Sequence, residues 1–303
     1  MNDSKSLISG SRPNIPTGTR SKQWAIIITI LIASIWSITG LDVTLARLLG
    51  APSDAWAVLR QMTAPAFAEV YKRGALGKIL ESVYIAWIGT IIGALLSLPL
   101  AFLAAHNVTP FWIRGPTRQL FNVIRAIPEL ILAVILIPIT GLGAWAGTLA
   151  IGIHSIGTLG KWAAESIESV DNGPIEAVEA SGGNWIGKMR WGVVPQVMPT
   201  ITSYWLFRFE INVRASAVLG MIGAGGVGSE LVSQLSFRNF QAASAVLLMT
   251  ITVVLTIDTI SASVRKRIIH GKNTDINGRS RSAEALIDLI GITSFIKRKS
   301  AQK

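Results

Sequence analysis

Val83-Tyr-Ile-Ala-Trp-Ile-Gly-Thr-Ile-Ile-Gly-Ala-Leu-Leu-Ser-Leu-Pro-Leu-Ala-Phe-Leu-Ala-Ala105 is a run of 23 residues without one Asp, Glu, Lys or Arg. As a helix it reaches about 35 Å, enough to cross a hydrocarbon core of ~30 Å. The rest of the chain repeats the pattern of long uncharged runs between short polar breaks. Half of its 303 residues are apolar, only 15% are charged, and the mean hydropathy is +0.49. A soluble domain carries about a quarter charged residues. The composition therefore predicts an all-α membrane protein.

Upstream of this run, residues 42–78 mix Pro, Gly and charges and are expected to form a loop with some interfacial helix. Trp24 to Leu41 is an uncharged stretch of 18 residues, read as a first span, and residues 1–23 form a polar tail. A signal peptide competes for the first stretch, but no small-residue cleavage site follows it. Downstream, His106 to Gln119 is a polar break. Leu130 to Gly160 then runs 31 residues without a charge, too long for one span. Pro138, Gly141 and Gly143 divide it into spans of roughly 120–140 and 143–163, which draws Arg125 and Glu129 into the membrane region. Val197 to Met221 is apolar except for Arg208, Glu210 and Arg214, and Phe240 to Val264, with Asp258, is the last span. The basic stretch beyond it is expected to hold a surface helix over Ala283 to Ile296.

The count is about six transmembrane helices, with both ends on one side. That side carries 19 Lys and Arg against six opposite, which puts both termini in the cytoplasm. The net charge of +11 could suggest nucleic acid, yet ten of the 28 basic residues crowd into Arg265 to Lys303, directly after an apolar run. Such flanks are topology signals and contacts for anionic membrane lipid, so no nucleic-acid partner is expected. The chain has no Cys, which excludes thiol chemistry and Cys-ligated metals, and no metal site is expected.

Two glycine patterns imitate nucleotide sites. Gly182 to Lys188 reads G-x-x-x-x-G-K, but Met189 stands where a phosphate loop needs Ser or Thr. Gly223-x-Gly225-x-x-Gly228 follows a membrane span rather than a strand. No ATP site is visible, so ATP-driven work needs a partner subunit.

The polar stretch 164–196 is helical in places. Asn172-Gly173-Pro174 before Glu176 is a helix start, Gly182-Gly183 a stop, and a second short helix is expected from about Asn184 to Trp191. Locally, Glu176 reads as a first-turn acid favoured by the helix dipole. Glu176-Ala177-Val178, Gly182 and Val194-Pro195 together resemble the E-A-A…G…I-x-L-P loop of ABC importer permeases, with Gly192 and Val194 in place of Ile and Leu. Tyr204 to Arg214, Val218 to Gly228, Arg125-Ala-Ile-Pro128-Glu129 and Val194 to Pro199 look like phosphonate-importer permeases. Methionine-importer permeases share part of the glycine pattern. The resemblance covers about Glu81 to Arg267.

This resemblance implies a permease core over 79–267 with a cytoplasmic coupling-helix loop at 164–196, followed by a basic cytoplasmic tail, 268–303. It implies a homodimer in a bacterial inner membrane, two ATPase subunits that bind ATP and magnesium, and a periplasmic binding protein. It implies no catalytic residue or cofactor in this chain. Glu176, Ala177, Gly182, Val194 and Pro195 would couple to the ATPase. The substrate would be phosphonate or a related oxyanion such as phosphite or phosphate. Another small solute such as methionine is the alternative within the class. An ion-coupled secondary transporter and a non-transporting scaffold are the rivals outside it.

Charges within spans usually face a pathway or a partner. Arg125, Glu129, Arg208, Glu210 and Arg214 are therefore pathway candidates, with a helix-locking role equally open. Glu210 and Arg214 lie four apart and could pair, and Glu129 is at a depth to meet Arg208. Gly220, Gly223, Gly225, Gly226 and Gly228 form either a flexible outer turn or a close-packed periplasmic gate. His154, alone in an apolar run, reads as a packed core residue.

Overall fold

The computed structural model describes residues 17–40 and 45–270, and every regular element among them is helical. Residues 1–16 and 271–303 lie outside the described residues, and with them the expected Ala283 to Ile296 helix. The chain divides into two compact units, Met1–Thr63 and Ala64–Lys303. The first unit holds α1 (Thr17–Gly40) and α2 (Leu45–Met62). In α1, Lys22–Ser37 is an apolar helix whose Trp24, Ile28 and Trp36 are all exposed, the state of a helix whose solvent is hydrocarbon.

The second unit opens with the short α3 (Phe67–Lys72) and then α4 (Ala75–Ala104). α4 starts well before Val83, because Lys78 and Glu81 bridge across one turn at 2.8 Å and keep the charged stretch helical. Val70 of α3 is fully buried with Ala75, Ile79, Val227, Ala242 and Val246. Residues 64–78 thus belong with the packed core rather than with a separate loop. α5 (Phe111–Ala126) and α6 (Glu129–Thr140) follow, then α7 (Ala144–Glu168). α8 (Asn172–Ala180), α9 (Trp185–Gly187) and a π-helical turn (Lys188–Val193) lead into α10 (Val194–Gly220). α11 (Val227–Ser236) and α12 (Phe240–His270) complete the unit.

The centre is the pairing of α4 with α7, and small residues make it possible. A Cβ on Gly89 would lie 3.0 Å from the Thr148 carbonyl oxygen, and one on Gly152 only 3.1 Å from Ile92. α10 packs on both helices, and α12 covers α10. On the other side of α7, Phe121 of α5 is buried against Gly160, where any side chain would strike its ring.

Ala75–Ala104 and Phe240–Ile269 are long and apolar enough to cross a membrane. Phe111–Ala126 and Glu129–Thr140 make a third span if the pair counts as one, but they are bent by 87°. Residues 120–140 are therefore not one continuous helix, as the hydropathy suggested. Pro128 lacks an amide hydrogen and pushes Ile127 out of helical geometry, so α5 stops and α6 restarts at Glu129. α7 and α10 have 25 and 27 residues, length enough to cross, but their polar residues keep them below the hydropathy of a simple span.

Candidate functional site

Thr90, Ser155 and Arg208 each fall within one residue of the middle of α4, α7 and α10 respectively. Where the three helices meet, they build a polar cluster. Arg208 is almost fully buried, and its Nε donates to Ser155 Oγ at 3.1 Å. Its Nη2 lies 3.2 Å from Glu129 Oε2 and 2.7 Å from His154 Nδ1. Because a guanidinium only donates, His154 must accept at Nδ1 and carry its hydrogen on Nε2. Asn212, one turn beyond Arg208, donates from Nδ2 to Thr90 Oγ1 at 2.8 Å and to Ser155 Oγ at 3.1 Å. The cluster balances one cation against one carboxylate, as burial of charge demands.

Glu129 is where the cluster meets space. It lines an open cavity of about 300 Å³ together with Leu130, Ile211, Arg214, Ala215, Val218 and Leu219. Arg125, at the end of α5, is exposed, with its stem against Gly157.

Glu210 and Arg214 do not pair with each other. α12 offers each a partner across the helix interface: Arg214 bonds Asp258, and Arg265 Nη1 stands 2.8 Å from Glu210 Oε1. Arg265 also sits 5.6 Å over the Phe207 ring. These residues tie α10 to α12 as two rungs of a ladder.

The loop between α7 and α10 is a second constellation. Asp171 caps α8 through Gly173 N, and Gly182, at a φ of +77°, ends it. The expected stop at Gly182 is where the helix stops. The second short helix differs: α9 passes through the π-helical turn straight into α10, with no break before Pro195. Gln196 braces the loop by donating to the carbonyls of Asp171 (3.0 Å) and Gly192 (2.7 Å) while accepting from Asp171 N. Gly192 packs under Ile175, which leaves Glu176 and Ala177 exposed. Trp185, Ile186 and Trp191 are exposed as well. Val194 is half-buried and Pro195 exposed at the start of α10.

The glycine segment after α10 is not a loose turn. Gly143 N donates to Gly223 O at 2.9 Å, and Val227 N to Ser82 Oγ at 2.8 Å. Gly226 has a φ of +77° and lies against Ser82, while a Cβ on Gly228 would collide with the Ala217 carbonyl. Gly220 and Gly225 are equally crowded. The segment is a fixed wedge between the starts of α4 and α7.

Residues 97–270 match the family described as "Binding-protein-dependent transport system inner membrane component". A phosphite transport system permease protein of Stutzerimonas stutzeri, PtxC, is 37% identical over 80% of this chain and 88% of its own length. The phosphate-import permease PhnE of Mycolicibacterium smegmatis is 42% identical over 62% of this chain and 36% of its own. Among solved structures, an amino acid ABC transporter matches with a TM-score of 0.57 at 20% identity, over 66% of this chain and 98% of that one. The MetNI methionine transporter in an inward-facing form gives 0.56 at 19%, over 63% and 94%. The chain belongs to this family. It is an inner-membrane ABC transport permease.

The permease's family match, Ser97 to His270, covers the loop and every residue of the cluster except Thr90. The structure brings Glu129 and Arg208 together and leaves Arg125 apart from them. It adds His154, Ser155, Asn212 and Thr90, which hydropathy passed over. His154 in particular is a hydrogen-bond partner of Arg208 rather than a mere packing residue. Asn212 had a signal in the sequence, since its offset of four residues puts it on the face of Arg208.

Proposed function

We propose that the permease imports a small tetrahedral oxyanion of the phosphite, phosphonate or phosphate class. A separate binding protein hands the anion over, and a separate ATPase drives its passage. The carrying observation is a nearly fully buried arginine midway along the helices, in a chain whose relatives bear phosphite and phosphate names. Guanidinium binds such anions through two parallel hydrogen bonds, and a charge at that depth needs a reason to persist.

Two copies of the chain form the pore in this reading, with both termini in the cytoplasm and six spans each. The exposed Glu176, Ala177, Trp185, Ile186 and Trp191 dock in the ATPase, and Gly182, Val194 and Pro195 shape the loop that presents them. Closure of the ATPase pair on ATP and magnesium moves these loops together and switches access from one face to the other. The wedge Gly220 to Gly228 closes the outer end. Arg214 and Glu210, tied to α12, hold the wall rather than the anion.

The test is uptake. Cells carrying the permease with its neighbouring ATPase and binding protein should take up phosphite, phosphate or methylphosphonate, and Arg208→Ala should abolish uptake while assembly persists. Full uptake by Arg208→Ala, or competition by methionine and not by any oxyanion, would refute the reading.

A further inference from the structure

Arg208 already has an anion in its grip. Glu129 takes up the Nη2 edge, at 3.2 Å, and comes from a different helix than the rest of the cluster. Resting on the oxyanion reading above, we propose that Arg208, Ser155, His154 and Asn212 form the oxyanion site and that Glu129 is its resident counter-ion. The arriving anion displaces the carboxylate and takes its place.

Four observations carry this. The first is an asymmetry of burial: the side chain of Arg208 is 6% exposed and that of Glu129 28%. The cation is fixed and the carboxylate stands at the rim. Ser155 and His154 hold the guanidinium from Nε and Nη2, so it stays oriented when the carboxylate leaves.

The second is the mounting of Glu129. It is the first residue of α6, directly after the 87° break at Ile127-Pro128. A side chain at a helix end beside a break can swing without unpacking a helix, and broken helices near mid-depth are where transporters hold their cargo. The cavity of about 300 Å³ touches the cluster through Glu129, and Arg208 is not in its lining. An anion in that cavity meets Arg214 on the wall and Glu129 at the door.

The third is the contact itself. A charge-assisted N–H···O bond is normally about 2.7–2.9 Å, so 3.2 Å is a loose hold for a buried pair. Permanently locked pairs gain little stability after desolvation, and the better use of such a pair is a switch. The bonds described engage Nε and Nη2 and leave Nη1 for a second oxygen of the same anion.

The fourth is Asn212, fully buried, whose Oδ1 has no hydrogen-bond partner. It shares Ser155 Oγ with Arg208. A singly protonated oxyanion brings one O–H donor, which a lone amide oxygen can accept. The site thus offers donors for the charged oxygens and an acceptor for the protonated one.

The full chain in lipid nanodiscs tests this with radiolabelled inorganic phosphate, competed by phosphite and methylphosphonate. If Glu129 fills the site in nine molecules of ten, its removal should tighten apparent binding about tenfold. Glu129→Gln should therefore bind phosphate about tenfold tighter than the native chain. Glu129→Asp, which keeps the charge, should bind like the native chain, and adding Arg208→Gln to Glu129→Gln should remove binding. In the native chain, phosphate should also shift an infrared carboxylate band, a measurement that stands if Glu129→Gln fails to fold. Equal or weaker binding by a folded Glu129→Gln, or no carboxylate shift on saturation, would overturn the counter-ion role alone. If neither the native chain nor Glu129→Gln binds any of the three anions, the oxyanion reading falls with it.

Discussion

The mid-helix cluster and the α8–α9 loop are built on opposite principles. The charge of Arg208 is answered from within the chain, by Glu129 of α6 and by Ser155 and His154 of α7. In the loop the backbone is carefully braced by Gln196, Asp171 and Gly192, yet the side chains it presents find little within the chain. Trp185, Ile186 and Trp191 are each about 60% exposed or more. A rigid frame that holds large apolar side chains in the open is what the proposed docking to an ATPase requires, because exposed clusters of that kind mark interaction sites. The cluster pairs its charge internally and leaves only the Asn212 amide oxygen unpartnered, whereas the loop presents whole apolar side chains with little cover. On the function proposed above, the loop would receive the work and the cluster would spend it on one anion.

Removing Arg208 should break the complete region hardest. Arg208→Ala leaves Glu129 without its cation and His154 without a donor, while Ser155 keeps only the Asn212 amide. The expected cost is about 3–5 kcal/mol of stability, the usual penalty for orphaning one partner of a buried pair. Thermal unfolding in detergent should record it, and uptake should vanish. Arg208→Lys should recover part of the stability without the uptake, since a point charge replaces the planar fork.

The loop should respond in the reverse sense. Trp185→Ala and Trp191→Ala should leave the unfolding temperature nearly unchanged, because both rings are largely exposed and the contact of Arg190 over the Trp191 ring is local to the loop. Binding of the ATPase should weaken by about 2–4 kcal/mol, as for a buried aromatic anchor. Co-purification and ATP hydrolysis measured with uptake would register the loss. An ATPase bound as tightly as before would mean that the exposed rings face lipid or a second copy instead.

How far the sequence announces each region follows the same division. The loop is local, and local signals reach it. Gly182 can end α8 because glycine tolerates a positive φ, whereas the start lies earlier than Pro174 suggested: Asp171 caps the helix, Asn172 opens it, and Glu176 falls beyond the first turn. The break at Pro128 is likewise covalent in origin, although the 87° angle between the two halves is not legible. The cluster is tertiary. Helical spacing puts Arg208 and Asn212 on one face, but nothing in that spacing says that α7 lies opposite with His154 and Ser155. For the same reason Glu210 and Arg214 looked like partners. Their reach across one turn is real, yet α12 supplies Arg265 and Asp258, and cross-helix pairs win because they also lock two elements together. The π-helical turn before α10 had no signal at all.

The α10–α12 ladder offers a milder break. Arg214 is half-exposed, so Arg214→Ala should cost about 1 kcal/mol or less, against the several expected at Arg208. Uptake should persist at a reduced level. Equal losses at the two arginines would erase the distinction between an anion site and a wall.

The smallest effect should come at the end of α7, beyond the 143–163 span, where Glu168 ties α5 and the turn after α4 to α7. It bonds Arg118 of α5 and accepts from His106 N at 2.7 Å, so it pins the 106–118 segment to α7. Burial alone would raise its pKa, but the His106 hydrogen bonds and the Arg118 charge outweigh burial and hold it below the ordinary 4.5. With the folded pKa below the unfolded one, Glu168 contributes stability above pH ~4.5 and loses it as pH falls through the depressed value. The native chain should therefore unfold more readily as the pH falls from ~4.5 through that value, and Glu168→Gln should flatten this part of the curve while lowering stability slightly at neutral pH. Because this carboxylate is tied to a loop and not to the anion, the same substitution should leave phosphate binding in nanodiscs unchanged. A shift in binding would join the C-terminal end of α7 to Ser155 one helix-half away, and the two regions would then be one mechanism rather than two.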